Sequence, residues 1–180
     1  MQLCNRPDLN EADLVRLREL ALDPEVDINY QDYQLNSTPL LLLCMANQSD
    51  SLYSALCTLL ENEHIDLTVQ TTHDNQNALT LLFRYYRKNN LIDCVKLLIK
   101  RKVPVDVETR DGRNAFMLLC EHFGADNLVE IAALLLRKMV DLRTANLSLS
   151  ILRERGFESE SDILVFHLRS RRSALERLKK

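Results

Sequence analysis

Glycine and proline are scarce in this chain and tryptophan is absent, with three Gly and four Pro among 180 residues. A β-sandwich or β-barrel needs many tight turns built from such residues, so their scarcity favours a helical fold. Long apolar runs are missing too, since none approaches the roughly 18 residues of a transmembrane helix. The first residues lack the apolar stretch of a secretory signal peptide. We therefore expect a soluble protein of the cytoplasm or nucleus.

Motifs that carry chemistry are also missing. No glycine-rich phosphate loop, HExxH zinc motif or GxSxG nucleophile motif occurs, and the four histidines are scattered. No paired-cysteine metal pattern is present. We therefore expect no enzyme activity, no cofactor and no metal site. Five widely spaced cysteines are expected to be buried, reduced thiols that pack as small apolar groups: Cys4, Cys44, Cys57, Cys94 and Cys120.

Positive charge is nearly missing from the first half of the chain. Residues 1–80 hold 3 Arg, no Lys and 13 Asp or Glu, a net charge of −10, whereas residues 81–180 carry +7. Such an imbalance presents a bipolar field to a partner. The acidic half attracts a basic partner or is a solvated helix face. End-to-end association of acidic and basic ends is a further alternative.

Three similar apolar segments are the most informative feature that is present. TPLLLLC at 38–44, NALTLLF at 77–83 and NAFMLLC at 114–120 lie 39 and then 37 residues apart. Thr38, Asn77 and Asn114 can each cap a helix N terminus, and proline at the first helical position is well tolerated. The apolar residues that follow predict short helices covered on most sides. Self-similarity at this period indicates stacked repeats that bury their apolar faces on one another.

The segments around these three copies repeat as well. Apolar residues at helical spacing predict a second helix at 52–60, 91–99 and 128–135. Each connection between helix pairs contains an Asp between two apolar residues, namely Asp27, Asp66, Asp106 and Asp141. Polar, turn-prone segments precede the capped helices at 34–37, 73–76 and 110–113.

Weaker helical patterns at the two ends predict caps with polar outer faces. An amphipathic helix is expected at 11–22, and two further helices at 147–155 and 161–172. The inner face of the last helix is expected to consist of Ile163, Leu164, Phe166 and Leu168.

With these features the chain resembles the ankyrin-repeat family, whose unit is a β-turn finger followed by two antiparallel helices. Thr38-Pro39-Leu40 matches the start of the family's Thr-Pro-Leu-His-x-Ala motif. The units here have 35–40 residues instead of about 33. The family's His is replaced by Leu41, Thr80 and Met117, so we expect its hydrogen bonds between helix and finger to be missing.

The resemblance implies an all-α solenoid of stacked antiparallel helix pairs joined by β-turn fingers. It implies a single domain over 1–180 with an N-terminal capping helix at 10–26. The expected repeats are at about 27–65, 66–105 and 106–140, followed by a C-terminal capping repeat at 141–180.

The family usually binds a partner protein across its finger tips and the concave face of its first helices. The resemblance therefore implies a protein–protein interaction module: an adaptor, scaffold or inhibitor that acts as a monomer or in a hetero-complex. The partner-binding candidates carried over by position are Tyr33, Gln34, Met45, Ala46, Thr72, His73, Arg84, Tyr85, Arg110, Arg113, Glu121 and His122.

The sequence RYYRK at 84–88 is the sharpest local feature, because two aromatics lie among three cations. It adds Arg87 and Lys88 to the candidates, as a docking site for an acidic peptide. A solvated loop whose Tyr rings pack against the next unit is the alternative. Nucleic acid or another polyanion, bound through the basic C-terminal half, is a third interpretation. The pI of about 5.8 argues against nucleic acid as the main ligand.

Overall fold

The computed structural model describes residues 1–32, 36–124, 127–139 and 141–178. These ranges contain nine α-helices and no strand, which confirms the predicted all-α class. The helices are α1 (Glu11–Leu22), α2 (Pro39–Ala46), α3 (Leu52–Leu59), α4 (Ala78–Tyr85), α5 (Leu91–Lys100), α6 (Ala115–His122), α7 (Leu128–Lys138), α8 (Ala145–Glu154) and α9 (Glu158–Leu178).

The chain divides into two compact units. One consists of Met1–Pro104 with Thr109–Asp111, and the other of Val105–Glu108 with Gly112–Lys180. We describe each unit by itself, and the single domain over 1–180 stays a prediction.

Helices of the first unit lie in two rows. In one row α2 packs on α4, and in the other α1 packs on α3 and α3 on α5. The rows are joined because α2 also packs on α3 and α4 on α5. Every residue from Pro39 to Cys44 and from Ala78 to Phe83 is buried, as expected for helices with apolar residues on most sides.

The second unit repeats this arrangement with four helices. Its α6 packs on α7 and α8, and α9 packs on α7 and α8. Leu164 and Leu168 form the buried face of α9, together with Ser161. The predicted inner face is wrong for Ile163 and Phe166, which are 49% and 72% exposed. Residues 161, 164 and 168 follow helical spacing, and 163 and 166 lie beside that stripe.

The three predicted helix caps are confirmed. The side-chain oxygens of Thr38, Asn77 and Asn114 accept hydrogen bonds from the backbone N–H three residues later, at 3.4, 3.0 and 2.9 Å. Two residues before each cap the backbone is left-handed, with φ of 48° at Asn36, 53° at Asn75 and 76° at Gly112. Asn and Gly are the residues that adopt this conformation most readily, so these positions make the turn.

Three aspartates of the connections between helix pairs form local hydrogen bonds with the backbone. The Oδ1 atoms of Asp27, Asp66 and Asp141 accept hydrogen bonds from the backbone N–H two residues later, at 2.9, 2.8 and 2.9 Å. This Asx-turn substitutes for a backbone turn and fixes the chain where it leaves a helix pair. The hydroxyl and backbone N–H of Thr68 also lower the pKa of Asp66, because they stabilise its carboxylate.

Four of the five cysteines are buried, as predicted, whereas Cys57 is half-buried. Burial raises the pKa of Cys4 to about 11 and that of Cys94 to about 12. It also raises the pKa of Cys44 and Cys120. Because the thiolate is the reactive form, these four thiols are protected both by burial and by protonation.

We therefore expect iodoacetamide at pH 8 to modify Cys57 alone in the folded protein. A thiol of pKa about 12 is ionised to only about one part in 10⁴ at that pH. All five thiols should react in guanidinium chloride, and peptide mass spectrometry locates each modification. The variant Cys57→Ser should remove labelling of the folded protein. Modification of Cys44 or Cys94 as fast as Cys57 would contradict the burial described above.

Candidate functional site

The turn before α4 lies on one side of the first unit and is closed by its own hydrogen bonds. The backbone N–H of Thr71 donates to the Gln76 carbonyl oxygen at 2.9 Å, and the N–H of Gln76 donates to Thr71 Oγ1 at 3.0 Å. The turn tip, formed by Thr72, His73 and Asp74, is exposed. The predicted candidates Thr72 and His73 therefore project from a closed turn.

The turn at 109–111 is fastened to this tip. The Arg110 backbone N–H donates to the Asp74 carbonyl oxygen at 2.9 Å, and Arg110 Nη2 donates to the Thr72 carbonyl oxygen at 2.7 Å. Arg84, at the end of α4, forms an ion pair with Asp111 at 3.2 Å. We call the surface formed by the exposed and half-buried residues of 71–76, 84–88 and 109–111 the turn face. Its parts all belong to the first unit and are held together by direct contacts.

Asparagine side chains tie successive connections of the first unit together. Asn29 Nδ2 donates to the His64 carbonyl oxygen at 2.8 Å, and Asn29 Oδ1 accepts from the Asp66 N–H at 2.7 Å. Asn77 Nδ2 donates to the Pro104 carbonyl oxygen at 2.6 Å. Helix starts and connections are thus hydrogen-bonded by Asn29 and Asn77, which are not the positions of the family's His. An amide can do this because it has both donor and acceptor atoms.

The two tyrosines of RYYRK have opposite environments. Tyr85 is 40% exposed, whereas Tyr86 is completely buried. The Tyr86 hydroxyl lies 2.9 Å from the Ser49 carbonyl oxygen and also contacts the Asn90 side chain. Burial raises its pKa. The interpretation that both rings are available for docking is therefore wrong for Tyr86. The helical spacing of Leu79, Leu82 and Tyr86 in the sequence indicates this burial.

Arg87 is exposed, but its side chain forms hydrogen bonds with the neighbouring helix end. Its guanidinium donates to the carbonyl oxygens of Phe83 at 2.9 Å, Tyr86 at 2.8 Å and Arg84 at 2.9 Å. These carbonyls lie at the C-terminal end of α4, where a helix lacks internal hydrogen-bond donors and favours cations. Lys88, the next cation, is exposed. The turn face therefore presents Tyr85 and Lys88, whereas Arg87 completes the helix end.

The remaining predicted candidates do not belong to the turn face. Met45 and Ala46 are half-buried at the end of α2, and Tyr33 and Gln34 lie outside the described residues. In the second unit Arg113 Nε lies 3.0 and 2.9 Å from the two carboxylate oxygens of Glu121. His122 Nε2 lies 3.9 Å from the same carboxylate. These three side chains therefore form one local charge cluster.

Two searches for other kinds of site cover the described residues only. Within them, no group of three or more His, Cys, Asp or Glu is arranged to hold a metal ion. No helix in the same ranges has the length and apolarity needed to cross a membrane.

The chain was also compared with known proteins. No protein-family model matches it, and the curated proteins give no significant match. The function is therefore inferred from the residues and their geometry alone.

Proposed function

We propose that this chain is a divergent ankyrin-type repeat protein that binds another protein, as an adaptor, scaffold or inhibitor. The repeated geometry within each unit supports this. First helices α2, α4 and α6 all have eight residues and begin at an equivalent cap. A left-handed residue precedes each cap by two positions, and the helices of each unit pack in two rows. Stacked helix pairs produce this regularity.

The binding proposal rests on the hydrogen bonds and the ion pair that hold the parts of the turn face together. Arg110 joins the two turns through backbone and side-chain hydrogen bonds, and Arg84 joins the second turn to α4 through Asp111. Exposed turns that are already fixed lose little conformational entropy when a partner binds. A surface of this kind can present side chains in one arrangement, which favours recognition of a partner over catalysis.

The proposed partner carries an acidic segment. Tyr85 supplies rigid contact area and Lys88 a cation, and His73 is exposed on the neighbouring turn tip. Aromatic residues are enriched at the energetic centres of interfaces. Arg84 contributes less positive charge, because it is already paired with Asp111. We therefore expect Tyr85 and Lys88 to contribute most to binding.

We do not propose nucleic acid as the ligand. Several cations of the basic half are paired with carboxylates: Arg84 with Asp111, Arg113 with Glu121, and Arg153 with Asp162. Arg143 contacts both Asp141 and Glu108. Such pairing reduces the field that a phosphate backbone needs for counterion-driven binding.

Affinity purification with the immobilised protein tests the proposal. The double variant Tyr85→Ala with Lys88→Ala should recover at least about tenfold less of the partner, which is the effect of losing an interface hot spot. Recovery is quantified by mass spectrometry against the unchanged protein. Circular dichroism should show an unchanged fold, because both side chains are exposed.

A matched control exists on the other helix row. Tyr53 on α3 is 39% exposed, nearly the same as Tyr85, and Lys100 on α5 is an exposed cation. The double variant Tyr53→Ala with Lys100→Ala should recover as much partner as the unchanged protein. If the Tyr85/Lys88 variant also recovers the partner undiminished, binding does not use the turn face.

A further inference from the structure

A cavity of about 290 Å³ lies beside α1 in the first unit. Its wall is formed by three residues near the N terminus, three of α1 and four of the connection that follows α1: Met1, Leu3, Cys4, Leu17, Leu20, Ala21, Val26, Asp27, Ile28 and Tyr30. Pro39 and Leu59 complete the wall. Among the described residues that line it, Asp27 has the only charged side chain, and the α-amino group of Met1 is a further charge in the wall. The cavity therefore has room and lining for one bulky apolar group.

A second cavity of about 490 Å³ adjoins the first and shares Val26, Asp27 and Ile28 with it. This cavity is acidic, since Asp23, Glu61 and Glu63 line it as well. Within the described part of the chain, no Lys or Arg lines either cavity. Arg18 neutralises part of the charge, because it pairs with Glu61 at 2.9 Å.

Apolar side chains are exposed around the same two cavities. Leu22 is 50% exposed, Tyr30 is 52% exposed and Val26 is 37% exposed. All three line one or both cavities. An apolar lining beside clustered carboxylates, in a half of the chain with net charge −10, is complementary to a group that is both apolar and cationic.

We propose that the paired cavities bind a basic segment of another protein through one bulky apolar side chain. That side chain occupies the apolar cavity, and Lys or Arg residues close to it in sequence contact Asp27, Asp23 and Glu63. The occupant must extend over both cavities, which suits a polypeptide segment. None of these residues belongs to the turn face, so this site is independent of the proposed function.

Synthetic peptides test this directly. The probes are fluorescein-labelled peptides with one Phe and three Arg in an Ala/Ser background, with one, two or three residues between Phe and the first Arg. At least one peptide should bind saturably in fluorescence anisotropy, and raising salt from 50 to 300 mM should weaken its binding several-fold. Replacing its Phe with Ser, or its three Arg with Glu, should reduce affinity at least about tenfold.

Protein variants separate the two cavities. Asp23→Lys with Glu63→Lys should weaken binding at least about tenfold, through charge reversal in the acidic cavity. Glu154→Lys with Glu176→Lys makes the same change in net charge on exposed residues of the second unit, and should leave binding within about twofold. Ala21→Leu should fill the apolar cavity and abolish the preference for Phe over Ser. If this variant does not fold, Tyr30→Ser replaces it. Tyr30 is an exposed lining residue, and its loss should likewise reduce the preference for the Phe peptide over the Ser peptide.

Three results would overturn the proposal. One is that none of the peptides binds saturably at 50 mM salt. Another is equal binding of the Phe and Ser peptides to the unchanged protein. The third is light scattering that shows self-association lost on Asp23→Lys with Glu63→Lys, because a second copy would then occupy the cavities. The Tyr85/Lys88 variant should keep full peptide binding, so failure of the turn-face proposal can be recognised separately.

Discussion

Replacing Tyr86 with Ala should lower the free energy of unfolding by about 3–5 kcal/mol, the usual cost of removing a buried aromatic ring. The same change at the neighbouring Tyr85 should lower it by about 0.5 kcal/mol or less, the usual range for a surface substitution. The reason is their environment, since Tyr86 is completely buried and Tyr85 is 40% exposed. Urea denaturation followed by circular dichroism measures both values.

The control for this pair is Tyr86→Phe. It keeps the ring and removes the hydroxyl, which contacts the Ser49 carbonyl oxygen and Asn90. We expect a loss of about 1–2 kcal/mol, because a buried acceptor loses its donor. Equal losses for Tyr86→Ala and Tyr85→Ala would mean that the end of α4 does not pack as described.

Replacing Asn77 with Ala should cost about 2–4 kcal/mol, because one side chain serves two elements. Loss of the cap on Thr80 N–H contributes about 1 kcal/mol. The Pro104 carbonyl oxygen also loses its donor, at a cost of about 1–3 kcal/mol. Thr80 occupies the position of the His in the ankyrin-repeat motif. Its Oγ1 reinforces the cap by accepting a hydrogen bond from the Asn77 backbone N–H at 2.8 Å.

Asn10 provides the comparison for Asn77. It caps α1 with the same geometry at 2.9 Å, but it is exposed. The change Asn10→Ala should therefore cost only about 1 kcal/mol, measured by the same denaturation. If Asn77→Ala costs no more than Asn10→Ala, the hydrogen bond to Pro104 does not stabilise the fold.

Local signals in the sequence predict the nine helices of the described residues and the starts of α1 to α7, whereas α8 and α9 begin two and three residues before their predicted starts. The amphipathic pattern at 11–22 coincides with α1, and the caps at Thr38, Asn77 and Asn114 form as predicted. A cap depends on one side chain and a backbone group three residues away, so it can be recognised without the tertiary structure. Repeated apolar segments likewise predict buried helices, whatever their neighbours are.

Features that depend on distant contacts were not predicted. The bond from Asn77 to Pro104 joins residues 27 positions apart, and no sequence pattern indicates it. The cavity beside α1 is formed by several separate segments, although the acidic charge around it is visible in the sequence. The apolar character of Phe166 predicts a core position, although helical spacing places it outside the buried stripe of α9. The hydrogen bonds of Arg87 to the end of α4 depend on the folded chain, so the RYYRK pattern, which makes Arg87 a binding candidate, does not indicate them.

The affinity of the recovered partner for the two matched double variants tests the central claim most directly. That claim is that a partner binds the fastened turn face of the first unit. Calorimetry should show a Kd at least about tenfold weaker for Tyr85→Ala with Lys88→Ala, and a Kd within about twofold of the unchanged protein for Tyr53→Ala with Lys100→Ala. Unchanged affinity for the first variant would contradict it. If the second variant also bound more weakly, the partner would bind the side of α3 and α5 instead.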